Sequence, residues 1–387
     1  CAIVSTTGQT VGLAGRPDVP AEFWPGPSSR PSRSGVRARR MDWREMQRWQ
    51  VRPDGSTWGD WGPEDQLGRL NLLTEEQRLK GVAEVVSGHA FCLSLPLDLP
   101  RGGVLNPNRR PPRIFPTRDA QGPRYNIAWS RVDDRFVDIS ADDAVELTLQ
   151  YSTQWDALAH VGAFFDVDGT GEEVPVYYNG FRAGTDVQGP TELATGDHGN
   201  SSYAFKLGVE NMAATPIQGR AVLIDLFYHL GSARRPVGYD LLQQVMTEDS
   251  VVVEPGDMVM IRTGFAEHIL SSAQSGEEVD YTSLCPVLDG SDPRLLEWIT
   301  ESGLVALVAD NYAVESTDLD HGPGRQSVMP LHHHCLFKLG VIIGELWYLG
   351  ELAAWLRGNG RNRCLLTAPP LRLPGAVGSP ANAIATV

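Results

Sequence analysis

Cysteine is scarce in this chain. Cys1, Cys92, Cys285, Cys335 and Cys364 are scattered over 387 positions without a C-x-x-C pair. An odd, widely spaced set points to reduced thiols in a cytoplasmic protein rather than to a disulfide framework. Long apolar runs are also missing. None approaches the ~18 residues of a membrane span, and residues 1–40 hold no apolar stretch with a basic segment ahead of it, as a secretory leader would. Positive charge is in deficit: the net charge of −15 argues against a nucleic-acid partner, which needs clustered Lys and Arg, and against an anionic membrane surface. No G-x-S-x-G elbow appears, so Ser-His-Asp hydrolysis is poorly supported. No phosphate- or dinucleotide-binding glycine pattern appears either, which makes nucleotide cofactors improbable. No internal repeat is found.

What is present describes an ordinary globular chain, 42% hydrophobic and 21% charged. Residues 1–40 differ from the rest. They are rich in Pro, Gly, Ser and Arg, have no Lys, and carry one aromatic pair, Phe23-Trp24. Such a stretch buries too little apolar surface to offset its ordering entropy. The expectation is a disordered N-terminal extension with Met41 as a native start, against a competing reading as an arm that docks on a partner subunit. Residues 41–387 are expected to form one catalytic domain.

Within that domain, Thr74-Glu-Glu-Gln77 has the spacing of a capping box and predicts a helix to about Val86, stopped by Ser87-Gly88. Phe91–Leu97, Ala221–Phe227, Gly303–Ala309 and Leu339–Ile343 read as strands, and Val251–Arg262 as strand, turn, strand about Pro255-Gly256. Tyr239–Thr247 reads as a short helix, and Asp292-Pro293 as the start of another. Residues 99–135 form a long loop of the sort that borders a site. The Gly- and acid-rich loop from Asp166 to Asn179 lacks the remaining ligands of a calcium loop. Strands alternating with short helices predict an α/β class with a mixed sheet.

The chemistry concentrates between Gln150 and His160. Val145–Tyr151 alternates as a half-buried strand does and runs into Gln154, Asp156 and His160. Asp and His four apart face the same way if the chain turns helical there. A carboxylate beside an imidazole fixes its tautomer and raises its basicity, an acid–base arrangement. The bland alternative is a satisfied Asp–His pair at a strand end.

Ser152-Thr-Gln-Trp-Asp-Ala-Leu-Ala-His160 resembles the core motif of the cyclase family, which includes bacterial kynurenine formamidases and isatin hydrolases. The usual motif, H-x-G-T-H-x-D-x-P-x-H, places its leading histidines at Gln150 and Gln154, its aspartate at Asp156, its proline at Leu158 and its last histidine at His160. Further segments agree in order: Trp61–Thr74, Tyr178-Asn-Gly180, Gly256–Gly264, Pro330-Leu-His332 followed by Gly340 and Glu345, and Pro369–Pro380. The resemblance covers about residues 57 to 387, on a Gln-Trp-Asp branch of the longer members.

The resemblance implies a swivelling β/β/α domain with a mixed sheet, used as a homodimer or higher oligomer. It also implies a metal held by a histidine and a glutamate 12 residues later; that spacing from Glu345 lands on His333, whereas the Pro-Leu-His pattern lands on His332. Three adjacent histidines on a strand cannot all face one point. The candidate ligands are Asp156, His332, His333, Glu345, Gln154 and Gln150. Amide oxygens in place of imidazoles suit Mn²⁺ or Mg²⁺ better than Zn²⁺, and one ion better than two. The catalytic candidates are His160 and Asp156. Trp155, Tyr178, Asn179, Gly180 and Asp310 are candidates for binding substrate. Arg262 fits a structural ion pair better than a carboxylate site, and Cys335 a small buried residue better than a ligand.

The expected activity is hydrolysis of a carbon–nitrogen bond (amide, formamide or lactam) or a lactone in a small, aromatic-type substrate. Water activated by the metal attacks, and His160 moves the proton. By resemblance the action is arylformamidase-like, as in tryptophan and kynurenine catabolism. Two other readings stand beside it: a metal-independent cyclase, lyase or isomerase working through Asp156–His160, and a binding protein that has lost turnover.

Overall fold

The structure is a computed structural model that describes residues 47–190, 202–316 and 324–387. The chain divides into two units, Cys1–Glu45 and Met46–Val387. The extension expected over residues 1–40 lies outside the described residues.

The second unit is built on four parallel strands: β3 (Gln218–Asp225), β4 (Met258–Arg262), β5 (Ala306–Ala309) and β6 (Ile342–Glu345). Their sequences, such as Met-Val-Met-Ile and Ala-Leu-Val-Ala, are apolar on both faces and almost wholly buried, the signature of a sheet covered on two sides. Antiparallel strands extend the sheet both ways. On one flank lie β7 (Arg363–Thr367), β9 (Ile384–Thr386) and β1 (Ala90–Cys92). On the other, β2 (Gln154–Asp156) pairs with β6 and then with the edge strand β8 (Gly378–Pro380). The order is β1-β9-β7-β3-β4-β5-β6-β2-β8.

The main helices are α1 (Glu75–Ala83), α2 (Tyr239–Glu248), α3 (Phe265–Ser275), α4 (Pro293–Ser302), α5 (Pro330–His332) and α6 (Gly350–Gly358). The Thr74 side chain accepts from Gln77 N, as the capping spacing predicts. Asp292 caps α4 ahead of Pro293, and Gly303 ends that helix in the left-handed region. Among the described residues no helix is long and apolar enough to cross a membrane.

Several local expectations are corrected. The alternation at Val145–Tyr151 belongs to a short strand, Asp143–Glu146, paired with Arg113–Pro116 in a hairpin outside the main sheet. The chain then turns, and the polar cluster itself forms β2. Beyond Asp156 it makes a turn closed by His160 N on Ala157 O at 2.8 Å, not a helix. Val251–Glu254 is irregular, and only Met258–Arg262 joins the sheet. The histidine triplet is helical, since α5 runs into a π-type turn over His333–Leu339.

Candidate active site

The polar cluster is assembled by strand register. In the β2–β6 pair, Gln154 lies opposite Glu345 and Asp156 opposite Ile343. Side chains alternate along a strand, so Gln154, Asp156 and Glu345 share one face while Trp155 takes the other. The Gln154 amide donates to Asp156 Oδ1 at 3.3 Å and Glu345 Oε2 at 3.1 Å. All three residues are buried. On β8, Gly378 is the partner of Asp156, and a Cβ there would strike the Gln150 amide. Gln150 thus packs over Gly378, beside the cluster.

The fourth member, His332, arrives from α5. Its Nε2 lies 3.2 Å from Glu345 Oε1 and 3.9 Å from Asp156 Oδ2. Glu315, in the loop after β5, fixes it. One carboxylate oxygen accepts from His332 N at 2.9 Å and meets Nδ1 at 2.7 Å, and the other accepts from Leu331 N at 2.8 Å. With Nδ1 engaged, Nε2 is the nitrogen turned to the cluster. Gly290 leaves room for that carboxylate; a Cβ would collide with Glu315 Oε2. Of the two histidines that the spacing left open, His332 faces the cluster. His333 instead lies against the Phe337 ring, centroids 4.9 Å apart, and His334 Nε2 meets Thr300 Oγ1 at 2.8 Å.

Burial raises the Asp156 carboxyl above the usual range against the pull of nearby His160. Burial also acts upward on Glu345, but the hydrogen bond and charge of His332 hold it below the ordinary value. For His332, burial opposes the charged form, yet bonds to Glu315 and Glu345 bring it up to about 10. His160 sits at the rim, partly exposed, with Nε2 3.8 Å from Asp156 Oδ1.

Ligand atoms of Asp156, His332 and Glu345 lie within 4.8 Å of one another, all buried, as a group able to hold a metal ion. Asp156 Oδ2 and Gln154 Oε1 are buried without a hydrogen-bond partner, a costly state that a cation would relieve. One imidazole nitrogen with several oxygens is a donor set that suits a divalent ion.

Other candidates have different tasks. Trp155 is buried in the core, donating Nε1 to Ala368 O at 2.7 Å and packing edge-on against Trp347, centroids 4.8 Å apart. Its alternation with Asp156 turns it away from the site. Tyr178, Asn179 and Gly180 form a buried turn rather than a substrate-facing loop. Asn179 Nδ2 donates to Gly62 O at 3.1 Å and Asp65 O at 3.0 Å, and Oδ1 accepts from Gly59 N at 2.9 Å. Replacing Asn179 with alanine leaves several half-buried backbone groups without their partner, and at up to about 1–3 kcal/mol for each unmet group a lowered midpoint in urea unfolding is expected. Asp310 accepts from Thr263 N, Thr263 Oγ1 and Gly264 N at 2.6–2.7 Å. Burial, then Glu267, pushes it up to about 7. It ties β5 to the turn before α3. Arg262 pairs with Asp225 and Glu267, and Cys335 is buried.

Two residues of the site had escaped notice in the sequence: Glu315, and Arg109, whose Nη1 donates to Gln150 O at 2.8 Å and stands 4.0 Å from Glu345 Oε2. Glu315 stands in a loop after a buried strand, a usual place for functional groups in α/β sheets. Arg109 lies in the long loop expected to border the site.

Comparison with a cyclase of known structure agrees with this architecture. The family model named Cyclase matches residues 91–316. The crystal structure of a cyclase is 31% identical with a TM-score of 0.63, over 86% of this chain and 99% of that one. Isatin hydrolase A from Labrenzia aggregata, bound to benzyl benzoate, is 14% identical with a TM-score of 0.47, over 80% and 97%. The Ralstonia solanacearum isatin hydrolase A is 15% identical with a TM-score of 0.46, over 77% and 91%. No curated protein matches the chain. With more than half its length matched by the family model and a relative of the same fold at 31% identity, the chain belongs to the cyclase family.

Proposed function

We propose that this protein is a metal-dependent hydrolase that opens a carbon–nitrogen bond (amide, formamide or lactam) or a lactone in a small substrate. The observation that carries the reading is the buried triangle of Asp156, His332 and Glu345, with the unpartnered Asp156 Oδ2 and Gln154 Oε1 beside it and His160 at its open rim. Asp156, His332 and Glu345, assisted by the Gln154 carbonyl, would hold one divalent ion. Such an ion supplies Lewis acidity toward a carbonyl and lowers the pKa of water.

The remaining work falls to side chains. Glu315 keeps the His332 ring in one orientation. Asp156 divides its oxygens, Oδ1 toward His160 and Oδ2 toward His332. His160 takes the proton from the attacking water and returns it to the leaving nitrogen or oxygen. Its partial exposure lets it meet both water and substrate, while the other members stay dry.

Elemental analysis of the purified protein is expected to find at most one tightly held divalent ion per chain, manganese or magnesium before zinc. Turnover of a panel of aryl formamides, lactams and lactones should vanish on chelation and return with Mn²⁺. Two stoichiometric zinc ions would overturn the single-ion reading. Gln154→His, which restores an imidazole donor, is expected to tighten ion binding.

One observation favours a second reading. The Gln154 amide donates to both Asp156 and Glu345, so those carboxylates have a partner without any ion. In a metal-independent cyclase, lyase or isomerase, Asp156 and His160 alone would act, and turnover would survive chelation.

A further inference from the structure

We infer that Arg109 is a specificity-determining residue, whose free guanidinium edge selects substrates with a carboxylate a few bonds from the bond that breaks. Other buried or half-buried arginines are spent on protein acceptors: Arg69 on the backbone carbonyls of Ile299, Leu304 and Thr300, and several others on carboxylates. Arg220 clasps Asp257 at 2.7 and 3.1 Å, Arg262 bridges Asp225 and Glu267 at 3.1 and 2.8 Å, and Arg357 meets Asp249 at 2.8 Å. Arg109 is not spent in this way. Its Nη1 gives a hydrogen bond to the Gln150 carbonyl and stays 4.0 Å from Glu345, beyond hydrogen-bond reach. Among the described residues Nε and Nη2 meet no acceptor, which leaves one planar edge of the fork open. That edge matches a carboxylate in two parallel N–H···O bonds, a geometry an ammonium cannot reproduce.

The fork is held in place before any ligand arrives. Asn106 starts the turn that presents Arg109: its side-chain oxygen accepts from Asn108 N and its carbonyl from Arg109 N, both at 3.0 Å. The Asn106 amide also donates to the Tyr312 hydroxyl at 3.2 Å. The guanidinium then lies over the Tyr312 ring, 5.5 Å from its centroid. A cation fixed on an aromatic face, a few ångströms from Glu345, suits a small planar acid whose carboxylate is near an acyl–nitrogen or acyl–oxygen bond. An aryl carboxylate with an acylated amine on the adjacent ring carbon has this form. Cleavage of such a substrate rests on the hydrolase reading; its binding does not.

The test compares 2-aminobenzoate with the neutral isostere 2-aminobenzamide, by titration calorimetry on the full chain, wild type, Arg109→Gln and Arg109→Lys. Wild type is expected to prefer the carboxylate by roughly 10-fold or more, the usual worth of a hydrogen-bonded charge. The preference should disappear in Arg109→Gln and be partly kept in Arg109→Lys, all three melting alike. In turnover, the kcat/KM ratio of N-formyl-2-aminobenzoate to formanilide should fall by a similar factor in Arg109→Gln. No carboxylate preference in wild type, or its survival in Arg109→Gln, overturns the inference. If formanilide is hydrolysed without that preference, Arg109 is not a selector and the hydrolase reading stands. If 2-aminobenzoate binds through Arg109 and neither amide is cleaved, the selector stands and the hydrolase reading falls.

Discussion

His160→Ala is expected to lower kcat by about 10²–10⁴-fold, the usual contribution of a general acid–base, on any amide, lactam or lactone the wild type turns over. The melting temperature should hardly change. The ring is at the rim, meets Asp156 across 3.8 Å, and among the described residues completes no buried network, so removing it leaves no orphaned donor among them. Its neighbour behaves differently. Asp156→Asn keeps the shape but removes the charge that faces both His160 and His332, so it should reduce turnover and also weaken ion retention. The two variants thus separate proton transfer from ligation: one loses rate alone, the other rate and metal together. Near-wild-type turnover in His160→Ala would return the Asp156–His160 pair to a structural role.

The legible parts of this protein were those whose signal is local. Continuous apolar runs announced β3 to β6 because a strand covered on both faces has no polar side to hide. Caps at Thr74 and Asp292 were readable because they satisfy backbone donors within a few residues. The ligand candidates Asp156, His332 and Glu345 were visible through resemblance, but which histidine turned inward was not. That choice is made by Glu315, and a lone carboxylate in a loop carries no pattern until the fold brings it to His332. Arg109 was hidden for the same reason. Trp155, Tyr178 and Asn179 show the opposite error. They stand within or near the motifs, yet strand alternation and hydrogen bonds to the backbone commit these buried side chains to the core. Proximity in sequence to Asp156 is a poor guide to proximity in space where neighbours on a strand point opposite ways.

Glu315 carries the second large effect. It is buried and surrounded by donors: two backbone N–H groups and the His332 ring. Glu315→Ala leaves all three donors without an acceptor at once and strips His332 of the carboxylate that compensates it. Breaking a buried charged pair from one side costs about 3–5 kcal/mol, so a large drop in the urea midpoint is expected. Glu315→Gln is the sharper experiment because it keeps the volume. One amide oxygen can still accept, but the NH₂ group replaces an acceptor with a donor facing donors, so the ring loses its fixed tautomer and orientation. Partners of this kind are worth about 10–100-fold in metal affinity, and competition against a chromophoric chelator should show a loss of that size in Glu315→Gln. Gly290→Ala is the corroborating change: its new Cβ would press first on Glu315 Oε2 and next on Leu331, and should weaken ion binding in the same direction. Unchanged affinity in Glu315→Gln would mean that His332 is held by its helix alone, and that the carboxylate behind it serves only to terminate the loop after β5.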